Sequence, residues 1–285
     1  MQPRPTSTVG ASRADLSASD LEFVRKLIRD RGGIELDADK GYLVVARLQK
    51  VVTTLSLGTL DQLLAELRSG RRRDIEEAVL DAMTTNETLF FRDSHPFPTL
   101  AEKIIPQILS DKGTDDLTIW CAAASSGQEP YSLAIVIQEH FARLAREGKV
   151  RIIATDLSSS MIERCREGRY SSFEVSRGLP PEYLDRYFVP DGNDYVVKEC
   201  LRSMVDARTL NLTGSLASLP RVDLVMLRNV LIYFSAETKK EILSRIRTLL
   251  RPEGYLMLGG AESLVGLDTG YERISFDRTV VYRPG

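Results

Sequence analysis

The chain has 285 residues, 43% of them hydrophobic and 27% charged, with a formal net charge of -2. That is enough chain to bury a large core in one or two domains, and the near-neutral balance removes any global electrostatic case for nucleic acid, so recognition by charge must be local. Three cysteines (Cys121, Cys165, Cys200) without a C-x-x-C pair and two histidines (His95, His140) exclude a disulfide scaffold and a histidine-rich metal site, and no apolar run approaches membrane-spanning length. Met1 to Asp15 is polar and proline-containing, lacks a secretory h-region and reads as a disordered leader; the expectation is a cytoplasmic, metal-free protein. From Leu16 to Met83 the periodicity is helical. Leu21, Val24, Leu27 and Ile28 mark one helix, ended by Gly32-Gly33. Leu43, Val44, Leu48, Val51, Val52 and Leu55 mark a second, stopped at Gly58, and Leu60 to Leu67 a third, closed by Ser69-Gly70. Asp74 is the expected N-cap of a fourth helix carrying Ile75, Val79 and Met83.

Thr84 to Pro98 reads as a linker dense in polar groups and aromatics, and beyond it strands and helices alternate. The helices are expected over Leu100–Leu109, Pro130–Arg146, Ser159–Glu167 and Ala236–Leu250, the last stopped by Arg251-Pro-Glu-Gly254. Strands are expected over Leu117–Ala123, Val150–Ala154, Val222–Leu227 and Tyr255–Leu258, with a terminal hairpin from Tyr271 to Tyr282. This pattern predicts a mostly parallel sheet covered by helices on both faces. Arg169 to Val197 breaks the rhythm; Tyr195-Val-Val-Lys and the Gly192-Asn193 turn suggest a small β insertion.

The chemistry concentrates where the first strand meets its turn, in Ile119-Trp-Cys-Ala-Ala-Ala-Ser-Ser-Gly-Gln-Glu-Pro-Tyr-Ser132. Strand, tight turn and helix form the first unit of a doubly wound nucleotide-binding sheet, with Gly127 permitting close backbone approach. The second strand ends in Asp156, where such folds hold ribose hydroxyls, although capping of the next helix is the plainer use of that acid. The turn lacks the G-x-G-x-x-G spacing of a dinucleotide site. An adenosine ligand without phosphates fits better, and S-adenosylmethionine is the commonest one. Glu129 could face the ammonium of such a ligand, or simply favour a helix N-terminus. Arg228 and Asn229 follow the strand Val222–Leu227 at the carboxyl edge, where open α/β sheets bind ligands.

Four clusters, in order and in register, resemble the CheR-type chemotaxis receptor methyltransferases. They are Thr84-Thr-Asn-Glu-Thr-Leu-Phe-Phe-Arg92, Ala122-Ala-Ala-Ser-Ser-Gly-Gln-Glu-Pro-Tyr-Ser132, Arg228-Asn-Val-Leu-Ile-Tyr-Phe234 and Leu258-Gly-Gly-Ala-Glu-Ser263, with Gly168-Arg-Tyr170 and Arg177-Gly-Leu-Pro180 in the family's inserted region. The resemblance implies an α/β fold, a Rossmann-like class I methyltransferase sheet (99–285, with the β insertion at 169–197) behind a small all-helical N-terminal domain (16–83), the linker 84–98 contributing to the cofactor site. It implies an enzyme that uses S-adenosylmethionine, releases S-adenosylhomocysteine and O-methylates glutamate side chains in the cytoplasmic coiled coils of chemoreceptors. By the same resemblance Asn86, Thr88, Arg92, Glu129, Asn211, Leu212, Arg228 and Asn229 contact cofactor, with Asp156 on the ribose. Arg92 would also orient the acceptor carboxylate and Tyr233 would position the reacting groups. Since a glutamate carboxylate is ionised at neutral pH, no general base is required. Catalysis is then mostly positioning.

Basic side chains in the helical region offer a docking face. Lys40, Arg47 and Lys50 fall on neighbouring rows of the helix expected over Asp39–Leu55, and Arg71-Arg72-Arg73 adds a dense cluster. A solvated surface explains such charges equally well, while the family's N-terminal domain is thought to dock on receptors. Aromatics are not interleaved with these bases as a single-strand nucleic-acid binder would want. The expectation is a monomer that binds chemoreceptors, without nucleic-acid binding or membrane insertion. A CheR-like enzyme of a non-chemotactic pathway and a non-catalytic S-adenosylmethionine-binding regulator are the alternatives; retention of Arg92 and Tyr233 argues against the second.

Overall fold

The computed structural model describes residues 16–267 and 269–285, so the leader expected over Met1 to Asp15 lies outside the described residues. The described chain divides into two compact units: residues 16–30 with Leu36–Met83, and Arg31–Glu35 with Thr84–Gly285. No helix among the described residues is long and apolar enough to cross a membrane.

The first unit is built from amphipathic helices α1 (Ala18–Gly32), α2 (Gly41–Thr54), α3 (Leu60–Ser69) and α4 (Arg73–Met83). Each buries apolar residues three or four apart: Val24 and Ile28, then Val44, Leu48 and Val51, then Leu60, Leu63, Leu64 and Leu67, then Ile75, Val79 and Met83. Thr59 and Gln62 close a capping box at the start of α3, and left-handed Gly70 ends it. Two boundaries differ from the sequence expectation. A short 3-10 turn (Ala38–Lys40) precedes α2, whose Leu43 is exposed rather than part of the apolar stripe. Helix α4 starts at Arg73, so Asp74 is not its cap but lies inside the first turn, paired with Arg72 at 2.6 Å.

The second unit carries strands β1 (Leu117–Ala122), β2 (Val150–Asp156), β3 (Arg169–Ser171), β4 (Phe188–Asp191), β5 (Asp194–Val197), β6 (Val205–Thr209), β7 (Val222–Leu227), β8 (Leu250–Leu258), β9 (Tyr271–Phe276) and β10 (Thr279–Pro284). Its helices are α5 (Pro96–Thr99), continued through a π turn into α6 (Ile105–Lys112), then α7 (Gln128–His140), α8 (Ala142–Arg146), α9 (Ser159–Glu167), α10 (Ser172–Ser176), α11 (Pro181–Tyr187), α12 (Glu199–Arg202) and α13 (Ala236–Leu249). Seven strands form one sheet in the order β6-β2-β1-β7-β8-β10-β9. The first five in that order are parallel, and β10 and β9 close the edge as an antiparallel hairpin. Chain order reverses beside β1, between β2 and β7, which puts a ligand crevice at the carboxyl ends of those strands.

Side chains alternate between the two faces of the sheet, as the period of two demands. Ile119, Cys121, Ile152, Ala154, Leu224 and Met226 enter one apolar cluster; Trp120, Ala122, Ile153, Val225 and Leu227 enter the other. The expected insertion is a three-stranded antiparallel sheet, β3-β5-β4. Strand β6 was not legible as a strand, because it is a charged edge: Asp206 holds Arg151 and Arg208, each at 2.6 Å. The helix expected over Pro130–Arg146 starts earlier, at Gln128, and breaks at Phe141. Strand β8 runs back through Arg251-Pro-Glu-Gly254, expected as a stop, because a register shift opposite Val222 and Leu224 absorbs the irregular backbone.

Burial makes the thiols a gauge of this fold. Cys121 and Cys165 are fully buried, which pushes the Cys165 thiol up to about 12 and Cys121 well above the ordinary range, whereas Cys200 is exposed. A thiol-reactive disulfide reagent at mildly alkaline pH is expected to modify Cys200 rapidly and the other two of the three cysteines only after denaturation. Fast reaction of all three in the native protein would contradict the packing of α7 and α9 on the sheet.

Candidate active site

Strand β1 ends at Ala122, and the backbone then turns through positive φ at Ala123 (62°), Ser125 (49°) and Gly127 (99°) before α7 begins. A Cβ on Gly127 would lie 2.7 Å from the Cys165 sulfur and 2.8 Å from the Tyr170 hydroxyl, so only glycine fits there. The Tyr170 hydroxyl donates to the Ser126 carbonyl at 2.7 Å, and Tyr131 donates to the Cys165 carbonyl at 2.8 Å. Burial holds both phenols protonated, as donors. Asp156 is 7% exposed, and its carboxylate accepts the backbone N–H of Ser125 at 2.8 Å and of Ser158 at 2.9 Å. It therefore ties the turn after β1 to the turn after β2. The N-cap of α9 is Ser158, not Asp156.

The linker ahead of the sheet is pinned to this turn. The Ser125 hydroxyl donates to the Asn86 carbonyl at 2.9 Å, and the Phe91 N–H donates to the Ser132 hydroxyl at 2.9 Å. Phe90 is fully buried, edge-on to Tyr170 and Phe188 at 5.0 and 5.7 Å, while Phe91 packs on Phe97 at 4.9 Å. These rings fix a run of positive-φ residues, Phe91, Asp93 and Ser94, with Arg92 among them. The half-buried Arg92 donates from Nη1 to the Glu87 carbonyl at 3.2 Å; Asn86 and Thr88 are half-buried on the same segment.

Arg228, at the end of β7, joins the parts. Its side chain is 2% exposed, and it donates from Nη1 to Glu129 Oε2 at 2.6 Å and from Nη2 to Asp93 Oδ2 at 2.7 Å and the Arg92 carbonyl at 2.9 Å. Burial opposes its charge, but Glu129 and then Asp93 outweigh that and hold its pKa above the ordinary arginine value. Its Nε is buried without a partner among the described residues, as is Asn229 Oδ1. Next to it Asn229 takes a left-handed φ of 59°, and one carboxylate sets that turn: Glu262 accepts from the N–H groups of Asn229 (2.6 Å), Leu231 (2.8 Å) and Gly259 (2.9 Å). A Cβ on Gly259 would come within 2.9 Å of the Asn229 backbone nitrogen, so this contact requires glycine.

Tyr233 lies in the 3-10 turn Leu231–Tyr233; it is half-buried, and its neighbour Ile232 is 58% exposed, so Tyr233 is not a core residue. Its carbonyl accepts from the Glu35 N–H at 2.8 Å. Asn211 is committed to structure: its amide nitrogen donates to the Arg31 carbonyl at 2.6 Å and its Oδ1 accepts from the Thr213 N–H at 2.9 Å, while Leu212 is buried in the core. The structure thus brings Arg92, Glu129 and Arg228 together, joins Asn86 to Asp156 through Ser125, and gives the Asn211 side chain a turn-forming task.

The basic residues belong to the first unit. Lys40 pairs with Asp37 and Arg72 with Asp74, while Lys50, Arg71 and Arg73 are exposed. Arg47 is half-buried rather than fully solvated, and donates to the Met83 carbonyl at 2.8 Å, joining α2 to the end of α4.

Residues 19–84 match the CheR methyltransferase all-alpha domain, and residues 86–280 match the CheR methyltransferase SAM binding domain. The chain belongs to the CheR methyltransferase family. It is similar to the chemotaxis protein methyltransferase Cher2 of Pseudomonas putida, 43% identical over 267 residues that cover 93% of this chain and 97% of that one. Chemotaxis protein methyltransferase 1 of Pseudomonas aeruginosa is 43% identical over 268 residues, again 93% and 97% of the two chains. The chemotaxis protein methyltransferase of Escherichia coli is 34% identical over 260 residues, 89% and 88%. The second unit is accordingly a methyltransferase domain that binds S-adenosylmethionine, and its donor set suits that cofactor. Among the described residues Glu129 Oε1 has no hydrogen-bond partner, the guanidinium that holds Glu129 carries a buried, unpartnered Nε, and the turn has no Gly-rich pyrophosphate cradle.

Sequence reasoning missed Asp93 and Glu262 as organising residues. Both were within view: Asp93 directly follows Arg92, and Glu262 stands inside Leu258-Gly-Gly-Ala-Glu-Ser263. A half-buried carboxylate that accepts three backbone N–H groups should be costly to remove. Glu262→Ala is expected to lower stability by about 3 kcal/mol, since each stranded amide costs roughly 1–3 kcal/mol. Urea unfolding followed through the single, buried Trp120 measures this, and an unchanged midpoint would mean the turn holds itself.

Proposed function

We propose that this protein transfers a methyl group from S-adenosylmethionine to glutamate side chains of chemoreceptors, the adaptation chemistry of chemotaxis. The observation that carries this reading is the carboxylate of Glu129, held by buried Arg228 at the switch point of a CheR-family sheet with one oxygen unpaired. That oxygen accepts the cofactor's ammonium, and Asp156, fixed by two amides at the end of β2, stands where doubly wound sheets hold the ribose hydroxyls. Asn86, Thr88, Asn229 and the backbone at Asn211-Leu212 complete the cofactor's polar surroundings. Bound S-adenosylmethionine supplies an electrophilic sulfonium methyl.

The acceptor carboxylate is already the nucleophile at neutral pH, so the protein's task is to align it. Arg92 takes this role: its backbone is locked by Phe90, Phe91 and Arg228, while among the described residues its guanidinium holds only the Glu87 carbonyl, at 3.2 Å. The Tyr233 hydroxyl, on a half-buried turn, positions the reacting oxygen or methyl. On the helical unit, exposed Lys50, Arg71 and Arg73 favour acidic, helical receptor surfaces as partners through long-range attraction.

The test is incubation with labelled S-adenosylmethionine and the host's receptor fraction, followed by alkaline release of methanol and peptide mapping. Base-labile label on receptor glutamates is expected. In the same assay Tyr233→Phe should lower kcat roughly tenfold while cofactor affinity moves far less, because the hydroxyl acts in the reacting complex. Base-stable label, or label on other residue types, would overturn the substrate assignment. Equal losses in rate and affinity would return Tyr233 to a structural role.

A further inference from the structure

A cavity of about 220 Å³ opens beside this site, between the carboxyl end of β8 and the β9–β10 hairpin. Asp93, His95, Arg228, Glu262, Arg273 and Arg278 contribute to its lining. Both acids are already engaged: Asp93 by Arg228 at 2.7 Å, and Glu262 by three backbone amides. The bases are not. Among the described residues Arg273 holds only the Ser275 hydroxyl, at 3.0 Å, and Arg278 has neither an ion pair nor a hydrogen bond. Arg228 Nε is buried and without a partner, and the His95 ring bonds the Asp93 carbonyl through Nδ1 at 2.8 Å, leaving Nε2 unused. With Arg228 committed to Glu129 and Asp93, the two hairpin guanidiniums, without a carboxylate partner among the described residues, make this side of the cavity a place for an anion.

The cavity shares Arg228 and Asp93 with the network that holds Glu129, which places it beside the candidate site. We propose that it receives a second carboxylate of the protein substrate, from an acid neighbouring the acceptor glutamate, and that Arg273 and Arg278 are the specificity-determining residues that select it. This rests on the glutamate-methylation reading above. It adds to that reading a reason for preferring acid-rich segments over isolated glutamates. Arg273 and Arg278 lie on the edge hairpin, away from the turns after β1 and β2, so their removal leaves cofactor binding and the methyl-transfer residues in place.

The experiment uses the full chain and a cytoplasmic receptor fragment with a mapped acceptor glutamate. A second fragment carries glutamine in place of every other acid within two helical turns of that acceptor. Initial rates at saturating S-adenosylmethionine are measured for wild type and for Arg273→Gln/Arg278→Gln, with cofactor affinity by calorimetry as the control for folding. On the native fragment the double variant is expected to raise KM about tenfold, the scale of one lost charge-assisted hydrogen bond, with kcat and cofactor affinity unchanged. On the neutralised fragment the two enzymes should have the same KM. Unchanged KM on the native fragment, or equal losses on both, overturns the subsite while leaving glutamate methylation intact. Failure of the wild type to methylate either fragment overturns both readings together.

Discussion

The guanidinium of Arg228 is the contact on which the site depends. It is almost fully buried, and removing a charge from water is tolerated only where partners repay the lost hydration. Glu129 at the start of α7 and Asp93 in the aromatic loop supply those partners, and the Arg92 carbonyl accepts a further hydrogen bond from it. One side chain thereby connects the end of β7, the helix after β1 and the linker that precedes the sheet. The need to satisfy a buried charge fixes the relative positions of three segments distant in sequence.

Two further carboxylates do for the backbone what Arg228 does for the side chains. Asp156 holds the turns after β1 and β2 through Ser125 and Ser158, and Glu262 holds the turns after β7 and β8 through Asn229, Leu231 and Gly259. The ligand crevice of the doubly wound sheet lies between these pairs of turns. A methyl transfer between an activated donor and an ionised carboxylate asks for alignment more than for proton movement. On the proposed reading the acids of this site are spent on geometry, and one oxygen of Glu129 is offered to the cofactor.

The parts of this design legible in the sequence were those with local signals. Strand β7 and helix α9 have the boundaries read from their apolar patterns, and the four motif clusters led to the family. Ion pairing between distant residues has no local signature: Glu129 and Arg228 were each chosen as ligand contacts, and nothing in their spacing said that they meet. Asp156 posed a choice between ribose and helix cap, whereas its carboxylate bridges two turns. Arg47 looked like one more solvated base, because periodicity places a residue on a helix face without showing that the end of α4 covers it. Strand β6 escaped because its charges satisfy one another along a sheet edge, which leaves little apolar alternation to read.

The claim that Arg228 presents Glu129 to the cofactor is tested most directly by a double-mutant cycle. Affinity for S-adenosylmethionine would be measured by calorimetry for wild type, Glu129→Gln, Arg228→Gln and the double variant, each shown to be folded. If Arg228 sets the carboxylate in place, the Glu129 substitution should cost about 2 kcal/mol in the wild-type background and little once Arg228 is gone, a coupling of at least about 1 kcal/mol. Losses that add within about 0.3–0.5 kcal/mol would show that the two residues act independently, and would contradict the account.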